Sequence, residues 1–382
     1  MKVRFEKEPL IAAVTPALGA VSSKSTIQAI EGLLFEAKDG VCVITGYDTE
    51  KGIRTSLECE VIEPGSYIIN AQKFYSIIKT IPSGELLLTV NDRMNVKITS
   101  GKSCFELHAL PGSDFPSLPV LSGETGFDIP QHVMKRFIEM TRFAIAAKDQ
   151  RPIFTGAYFK ISSGEITVVS CDANRLSKCV SRCEISNARG VGETDVSFIV
   201  PGTTLTELSR RVADTEDMMA VSLTLKHVIF TVGDIIFFSR LIDGTYIDYE
   251  RILPKSHMIS VEIDRGQFGA SLERANLMIE EKAGSARGYV KLSFEDDRLI
   301  ITSDGVSGSV YDEIPIKKQG DDIKIGFNCR FLLDAVAATD AKTLHIGLST
   351  PLMGISITSA DEKSDEDEGD FVFFMMPVRM KE

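Results

Sequence analysis

The feature that most constrains this chain is a unit that occurs three times. One segment runs "EGLLFEAKDGVCVITGYD" from Glu31, a second "TGAYFKISSGEITVVSCD" from Thr155, and a third "RGYVKLSFEDDRLIITSD" from Arg287. Gly32, Gly156 and Gly288 mark the same point in each. Every copy alternates apolar and polar residues across a turn, which is the period of half-buried strands. A second signature follows in the same order, a strand leading into a short amphipathic helix: "YIINAQKFYSIIKTI", "SFIVPGTTLTELSRRV" and "IKIGFNCRFLLDAVAAT". A helical pattern also precedes each first segment: "PLIAAVTPALGAV", "PQHVMKRFIEMTRFAIAA" and "GQFGASLERANLMI". Each third therefore reads β-α-β-β-β twice, an α+β unit. Helices this short are marginal alone in water and must lay an apolar stripe on a sheet. Proline- and glycine-marked joints place domain boundaries at 1–120, 127–253 and 255–382.

Catalytic and metal chemistry is not visible in this pattern. "SGKSCF" at Ser100 ends like a phosphate loop, but Val96 stands where the first glycine is required, and a strand follows. The five histidines, at 108, 132, 227, 257 and 345, fall singly in different repeats. The seven cysteines are scattered, and Cys171, Cys179 and Cys183 lack paired CxxC spacing. They read as reduced, small apolar residues. The acidic stretch from Asp361 to Asp370 lacks the ligand alternation of a calcium loop and reads as a solvated hairpin. No apolar run reaches the roughly 18 residues that span a bilayer, and "MKVRFEKEPL" has no signal-peptide core, so a cytoplasmic protein without membrane contact is expected.

Charge points in two directions. The net charge of −12 argues against a nucleic-acid binder. Yet basic residues gather on the repeat helices and their flanks: Lys73 and Lys79, the run from Lys135 to Arg151, and Arg210 with Arg211, which close the second helix of the middle third. Three classes fit these facts: an enzyme with an unrecognised site, a repeat-domain scaffold for protein partners that does not encircle DNA, and a DNA-associated ring.

Five stretches in combination resemble the bacterial DNA polymerase III beta subunit, the replicative sliding clamp. They are "CDANRL" at Cys171, "DYERILP" at Asp248, "IGFNCRFLLDAV" at Ile325, "DFPSL" at Asp114 and the terminal "MMPVRM" at Met375. The resemblance covers essentially the whole chain. It implies three clamp domains per chain and a head-to-tail homodimer, a six-domain ring with sheets outside and helices lining a hole for duplex DNA. It implies a processivity factor, not an enzyme, with no cofactor. Implied partners are a second copy, duplex DNA without sequence preference, the polymerase III catalytic subunit, the clamp loader, and other proteins carrying clamp-binding peptides.

The resemblance also implies sites. Peptides would dock in an apolar pocket between the second and third domains. It would be built by Phe154; by Cys171, Ala173, Asn174, Arg175 and Leu176; by Ile247, Arg251 and Ile252 of the interdomain strand; by Phe331, Leu352 and Met353; and by Phe374, Met376, Pro377, Val378 and Arg379 of the tail. Cys171, Ala173, Asn174 and Ile247 depart from the residues common in the family. Period two would let the tail strand turn Phe371 and Phe373 to the core while its other face serves the pocket. DNA contacts would come from Lys24, Lys73, Lys79, Lys148, Gln150, Arg151, Arg210 and Arg211. Phe105 would meet Leu277 and Met278 of the other subunit.

Overall fold

The structure is a computed structural model. It describes residues 1–382 except 23, 24, 83, 122, 124, 163, 183, 184, 190–194, 280–288, 306, 307, 362–368, 381 and 382. Lys24, Cys183, Gly288 and most of the acidic stretch therefore lie outside the described residues.

The two β-α-β-β-β halves of each third are present, with six α-helices among the described residues: α1 (Lys7–Ala17), α2 (Ala71–Thr80), α3 (Gln131–Thr141), α4 (Gly202–Leu208), α5 (Arg265–Asn276) and α6 (Cys329–Ala337). Each third also carries one short strand that the alternation does not reveal: Glu60–Glu63, Ser186–Arg189 and Lys317–Gln319. Each of these pairs antiparallel with the first strand of its own third, Lys2–Glu6, Thr125–Pro130 or Ile259–Asp264. They are three or four residues long and mostly polar or charged, too short for a period to show.

Helix starts follow local chemistry. An Asn or Asp at the strand-to-helix junction accepts a hydrogen bond from an otherwise unpaired amide. Asn70 accepts from Lys73 N at 3.0 Å, Asp264 from Gln267 N at 2.8 Å, and Asn328 from Arg330 N at 3.0 Å. In α2 the buried stripe is Ala71, Phe74 and Ile78, while Gln72, Lys73, Ser76 and Lys79 are exposed. Phe74 packs edge-on against Phe35 of the sheet, with ring centroids 4.9 Å apart. Burying a side chain of that size contributes about 1.5–3 kcal/mol.

The chain divides into two compact units. One comprises Met1–Gln131, Ile185–Val191 and Glu207–Leu241; the other comprises His132–Glu184, Gly192–Thr206 and Ile242–Glu382. In the first unit, Lys51–Glu58 of the first third pairs antiparallel with Ile235–Arg240 of the middle third, so one 14-stranded sheet crosses the boundary between thirds. In the second unit, Arg175–Ser181 of the middle third pairs with the last strand, Gly369–Met375, in a nine-stranded sheet. Fusing sheets edge to edge removes unpaired backbone rows that a free domain would expose. Among the described residues no helix is long and apolar enough to cross a membrane.

Candidate functional site

The tail strand lies at the centre of the second unit's sheet. Leu176 pairs with Phe374 and Arg175 with Met375 on one side; Ile355 pairs with Met375 and Ser356 with Phe374 on the other. Phe371, Phe373 and Met375 are buried, and Phe373 meets Phe143 edge-on at 5.1 Å. The alternate face is less open than period two alone implies. Phe374 is also buried, at 8% exposure, in a cluster with Phe154, Cys171, Leu176 and Tyr246, against which Ile247 packs half-buried. Of the residues expected at the pocket, Met376, Ile252, Met353 and Leu352 are exposed, the last 74% exposed.

"CDANRL" is a hairpin turn fixed by its own aspartate. Asp172 Oδ1 accepts from the amides of Asn174 and Arg175, both at 3.0 Å, the short-range pattern that makes Asp a turn residue. Ala173 takes a left-handed φ of 72°, and Asn174 beside it is exposed. The tail is tied to this turn by Met376 N, which donates to Asn174 O at 2.8 Å. Beyond it, Pro377 is half-buried, Val378 N donates to Gly326 O at 2.8 Å, and Arg379 is exposed. Burial raises the Cys171 thiol and pushes those of Cys179 and Cys329 up to about 12, so these cysteines behave as apolar groups rather than nucleophiles. Among the described residues no group of His, Cys, Asp and Glu is arranged to hold a metal ion.

Several site residues sit differently from expectation. Arg175 is turned into the fold: it reaches Asp172 at 2.9 Å and Asp334 of α6 at 2.6 Å, and it lies 4.1 Å over the ring of Phe331. Arg175 and Phe331 thus contact each other, and both stay partly exposed. Ile247, Arg251 and Ile252 are not on a strand. Tyr249 N folds back to Ile247 O at 2.9 Å and a 3₁₀ turn, Tyr249–Arg251, follows, so no run of backbone groups is left to pair. Arg251 is exposed and paired with Asp248 at 2.7 Å.

The basic residues also divide. Lys73 and Lys79 stand on the exposed face of α2, Lys79 over the Tyr75 ring at 5.3 Å. Lys148 and Gln150 are exposed in a loop, where Arg151 clasps Asp149 at 3.1 Å and covers the Phe154 ring at 4.1 Å. Hydrogen bonds from Arg151 hold the Asp149 carboxyl below its usual range. α4 ends at Leu208, so Arg210 and Arg211 follow the helix rather than close it. Both pair with buried Glu207, at 2.8 and 2.7 Å. Arg211, 15% exposed, also donates to Pro16 O at 3.2 Å, which uses its guanidinium to join the first and middle thirds. Leu277 is 76% exposed and Met278 half-buried, while Phe105 packs half-buried on the core of its own third.

Tyr246, Gly354 and Asp334 also belong to this neighbourhood but had not been singled out. Asp334 lies within "IGFNCRFLLDAV", where Arg330 one turn earlier offers a nearer partner and hides its pairing with Arg175.

Comparison with known proteins completes the picture. The N-terminal, central and C-terminal domains of the DNA polymerase III beta subunit match residues 1–119, 128–248 and 250–370 in that order. Beta sliding clamps of Staphylococcus aureus and Staphylococcus epidermidis are 29% and 28% identical over 356 residues, covering 91% of this chain and 92% of theirs. The solved sliding clamp from Bacillus subtilis superposes with a TM-score of 0.92 at 26% identity, covering all of both chains. The DNA polymerase III subunit beta of Pseudomonas aeruginosa does so at 0.89 and 25%, again over both whole chains. Fold and matches together define an α+β protein of three repeated clamp domains. The chain belongs to the DNA polymerase III beta subunit family, the sliding clamps of bacterial DNA replication.

Proposed function

We propose that this protein is a cytoplasmic, non-catalytic processivity factor: two copies close head to tail into a ring that encircles duplex DNA. Its domains run near 1–120, 127–253 and 255–382. The observation that carries the reading is a pair of strand edges. Among the described residues, 103–108 pair with 95–100 on one side only, and Ser309–Pro315 is an outer strand of a four-stranded sheet. One edge belongs to the first third and the other to the last, so a second copy of the chain could cover both. Phe105, Leu277 and Met278 supply the apolar contacts at that joint.

Enclosure also accounts for the charge. Affinity built on phosphate contacts falls steeply with salt. A closed ring holds DNA by topology, so a net charge of −12 is tolerable if the lining carries the cations. Lys24, Lys73, Lys79, Lys148, Gln150, Arg151 and Arg210 are the proposed DNA contacts; Arg211 is committed to Glu207 and Pro16. The cluster around Phe374, with the exposed Met376, Leu352, Met353 and Ile252, is the proposed dock for short peptides of the polymerase catalytic subunit, the clamp loader and other DNA-processing proteins. Adaptable methionines suit a surface with several partners.

The test is solution mass at sub-micromolar concentration. The ring requires a value near twice 41.9 kDa. A stable monomer that binds partner peptides but is not retained on DNA would favour the scaffold instead.

A further inference from the structure

Three neighbouring strands of the middle third, Gly156–Ser162, Glu165–Cys171 and Arg175–Ser181, turn one face to α3. Ser170 Oγ donates to Thr141 O and Ser177 Oγ to Met140 O, both at 2.5 Å, and Cys179 Sγ lies 3.6 Å from the Met140 sulfur. Successive strand residues point to opposite faces. Lys160 pairs with Thr167, and Val169 with Lys178. Lys160, Thr167 and Lys178 therefore stand together on the face that α3 leaves open. There they line a cavity of about 500 Å³ with Ser162, Arg182 and Glu250.

The cations of this cavity already hold carboxylates, supplied by the chain itself. Lys178 Nζ is 2.9 Å from Glu250, and Lys160 Nζ is 3.0 Å from Asp195. In both pairs the ammonium is the inner member. Lys178 is 22% exposed against 62% for Glu250, and Lys160 is 40% exposed against 55% for Asp195. Hydrogen bonds from Ser162 and Lys160 hold the Asp195 carboxyl below its usual range. Arg182, exposed and 3.1 Å from Glu165, adds a third cation. Thr167 is 7% exposed, and among the described residues its hydroxyl has no hydrogen-bond partner. A buried hydroxyl beside a cavity is a group left for a ligand to satisfy. Exposed ion pairs shift an equilibrium by about fivefold or less, so a carboxylate from outside can displace Glu250 or Asp195.

We propose that this cavity docks an acidic segment of a protein partner, whose carboxylates replace Glu250 on Lys178 and Asp195 on Lys160. The two lysines are two strands and two residues apart, roughly 12 Å between Cα positions at ordinary sheet spacings. Two carboxylates on one extended segment match that separation better than one small anion does. The chain's net charge of −12 repels acidic peptides in general, so holding one requires a local group of cations such as this. In the ring reading helices line the hole, so the open face is turned away from the threaded duplex.

The test uses the full-length protein and a labelled peptide of alternating Glu and Gly, with a peptide of alternating Gln and Gly as control, read by fluorescence anisotropy at low salt. The wild type should bind the Glu peptide and not the Gln peptide, and added salt should weaken binding. Lys160→Ala should weaken it about fivefold, and adding Lys178→Ala should weaken it further. Asp195→Asn with Glu250→Gln removes the chain's own competitors and should tighten it severalfold. A purely structural role for these pairs would instead lower the melting point and leave affinity unchanged. Circular dichroism melts establish that each variant is folded, and Lys160→Ala alone decides the matter if the double lysine variant unfolds. Equal binding of the Glu and Gln peptides, unchanged affinity in the lysine variants, or unchanged affinity in the carboxylate variant would each overturn the proposal. Inorganic phosphate or a short DNA duplex that displaces the labelled peptide as well as unlabelled Glu peptide does, at equal charge, would also overturn it, by assigning the cavity to a small anion or to nucleic acid.

Discussion

Replacing Arg175 with alanine separates a structural arginine from a partner-binding one. The guanidinium is 11% exposed and makes two charge-assisted hydrogen bonds, 2.9 Å to Asp172 and 2.6 Å to Asp334. Bonds of this kind contribute about 1.5–3 kcal/mol each. Asp334 is 45% exposed, so solvent screening puts its share at the lower end or below. The Phe331 ring 4.1 Å away adds about 0.5–1 kcal/mol. The contributions share one side chain and do not add fully, so Arg175→Ala should lose about 3 kcal/mol locally. At about 1.4 kcal/mol per factor of ten, amide exchange limited by opening of Arg175–Ser181 and of α6 should accelerate on the order of a hundredfold. Arg175→Lys keeps the charge but not the planar fork, and should fall between. Hydrogen exchange followed by mass spectrometry reads both segments separately, which a melt of a multi-domain chain cannot do. Unchanged exchange in both segments, together with lost peptide binding, would refute the reasoning and return Arg175 to the partner-facing surface.

Three further outcomes are expected. Ala173→Gly should stabilise the hairpin by about 1 kcal/mol, because a φ of 72° is unfavourable for any residue with a Cβ; a lower melting point would show that the turn is not strained. Leu277→Ala with Met278→Ala should shift the dimer toward folded monomers, and sedimentation showing an unchanged dimer at sub-micromolar concentration would remove those residues from the joint. Burial opposes ionisation of Asp312, but hydrogen bonds from Ser271 and Arg274 at 2.7 Å outweigh it and hold the carboxyl below its usual range. A depressed folded value means that this contribution is present above the unfolded carboxylate range, near pH 4, and is lost as pH falls through the folded value. Exchange protection of Ser309–Pro315 should therefore fall in acid, and Asp312→Asn should flatten that dependence; an equally steep loss in the variant would assign it to another group.

The architecture was legible because repetition makes weak signals add. No single strand pattern identifies the fold, but three copies in the same order do, and the same order appears in the strands and helices of each third. Lys317–Gln319 was not legible, since three residues have no period. The segment holding Ile247 reads as a strand only if its backbone has a partner, and the fold-back of Tyr249 removes that possibility. The orientation of Arg175 was hidden for a different reason. Its second carboxylate, Asp334, is distant in sequence, and the strand pairing of Arg175–Ser181 with Gly369–Met375 links the middle third to the domain that carries it. Arg211 is similar: a basic residue after a helix looks free until buried Glu207 and Pro16 are brought to it. Sequence reveals which residue types gather, whereas contacts between thirds decide which charges remain available.

The most direct measurement of encirclement is retention on circular DNA. The protein is loaded onto nicked circles by a compatible clamp loader, and the salt is raised to a level at which a binder making about six phosphate contacts would lose affinity on the order of a thousandfold. The circles are then cut once. Encirclement predicts that the protein stays on intact circles and leaves promptly after linearisation, and that Lys148→Glu with Arg151→Glu weakens loading without changing this response. Departure from intact circles as fast as from cut ones, with the dimer still stable at that salt, would contradict it.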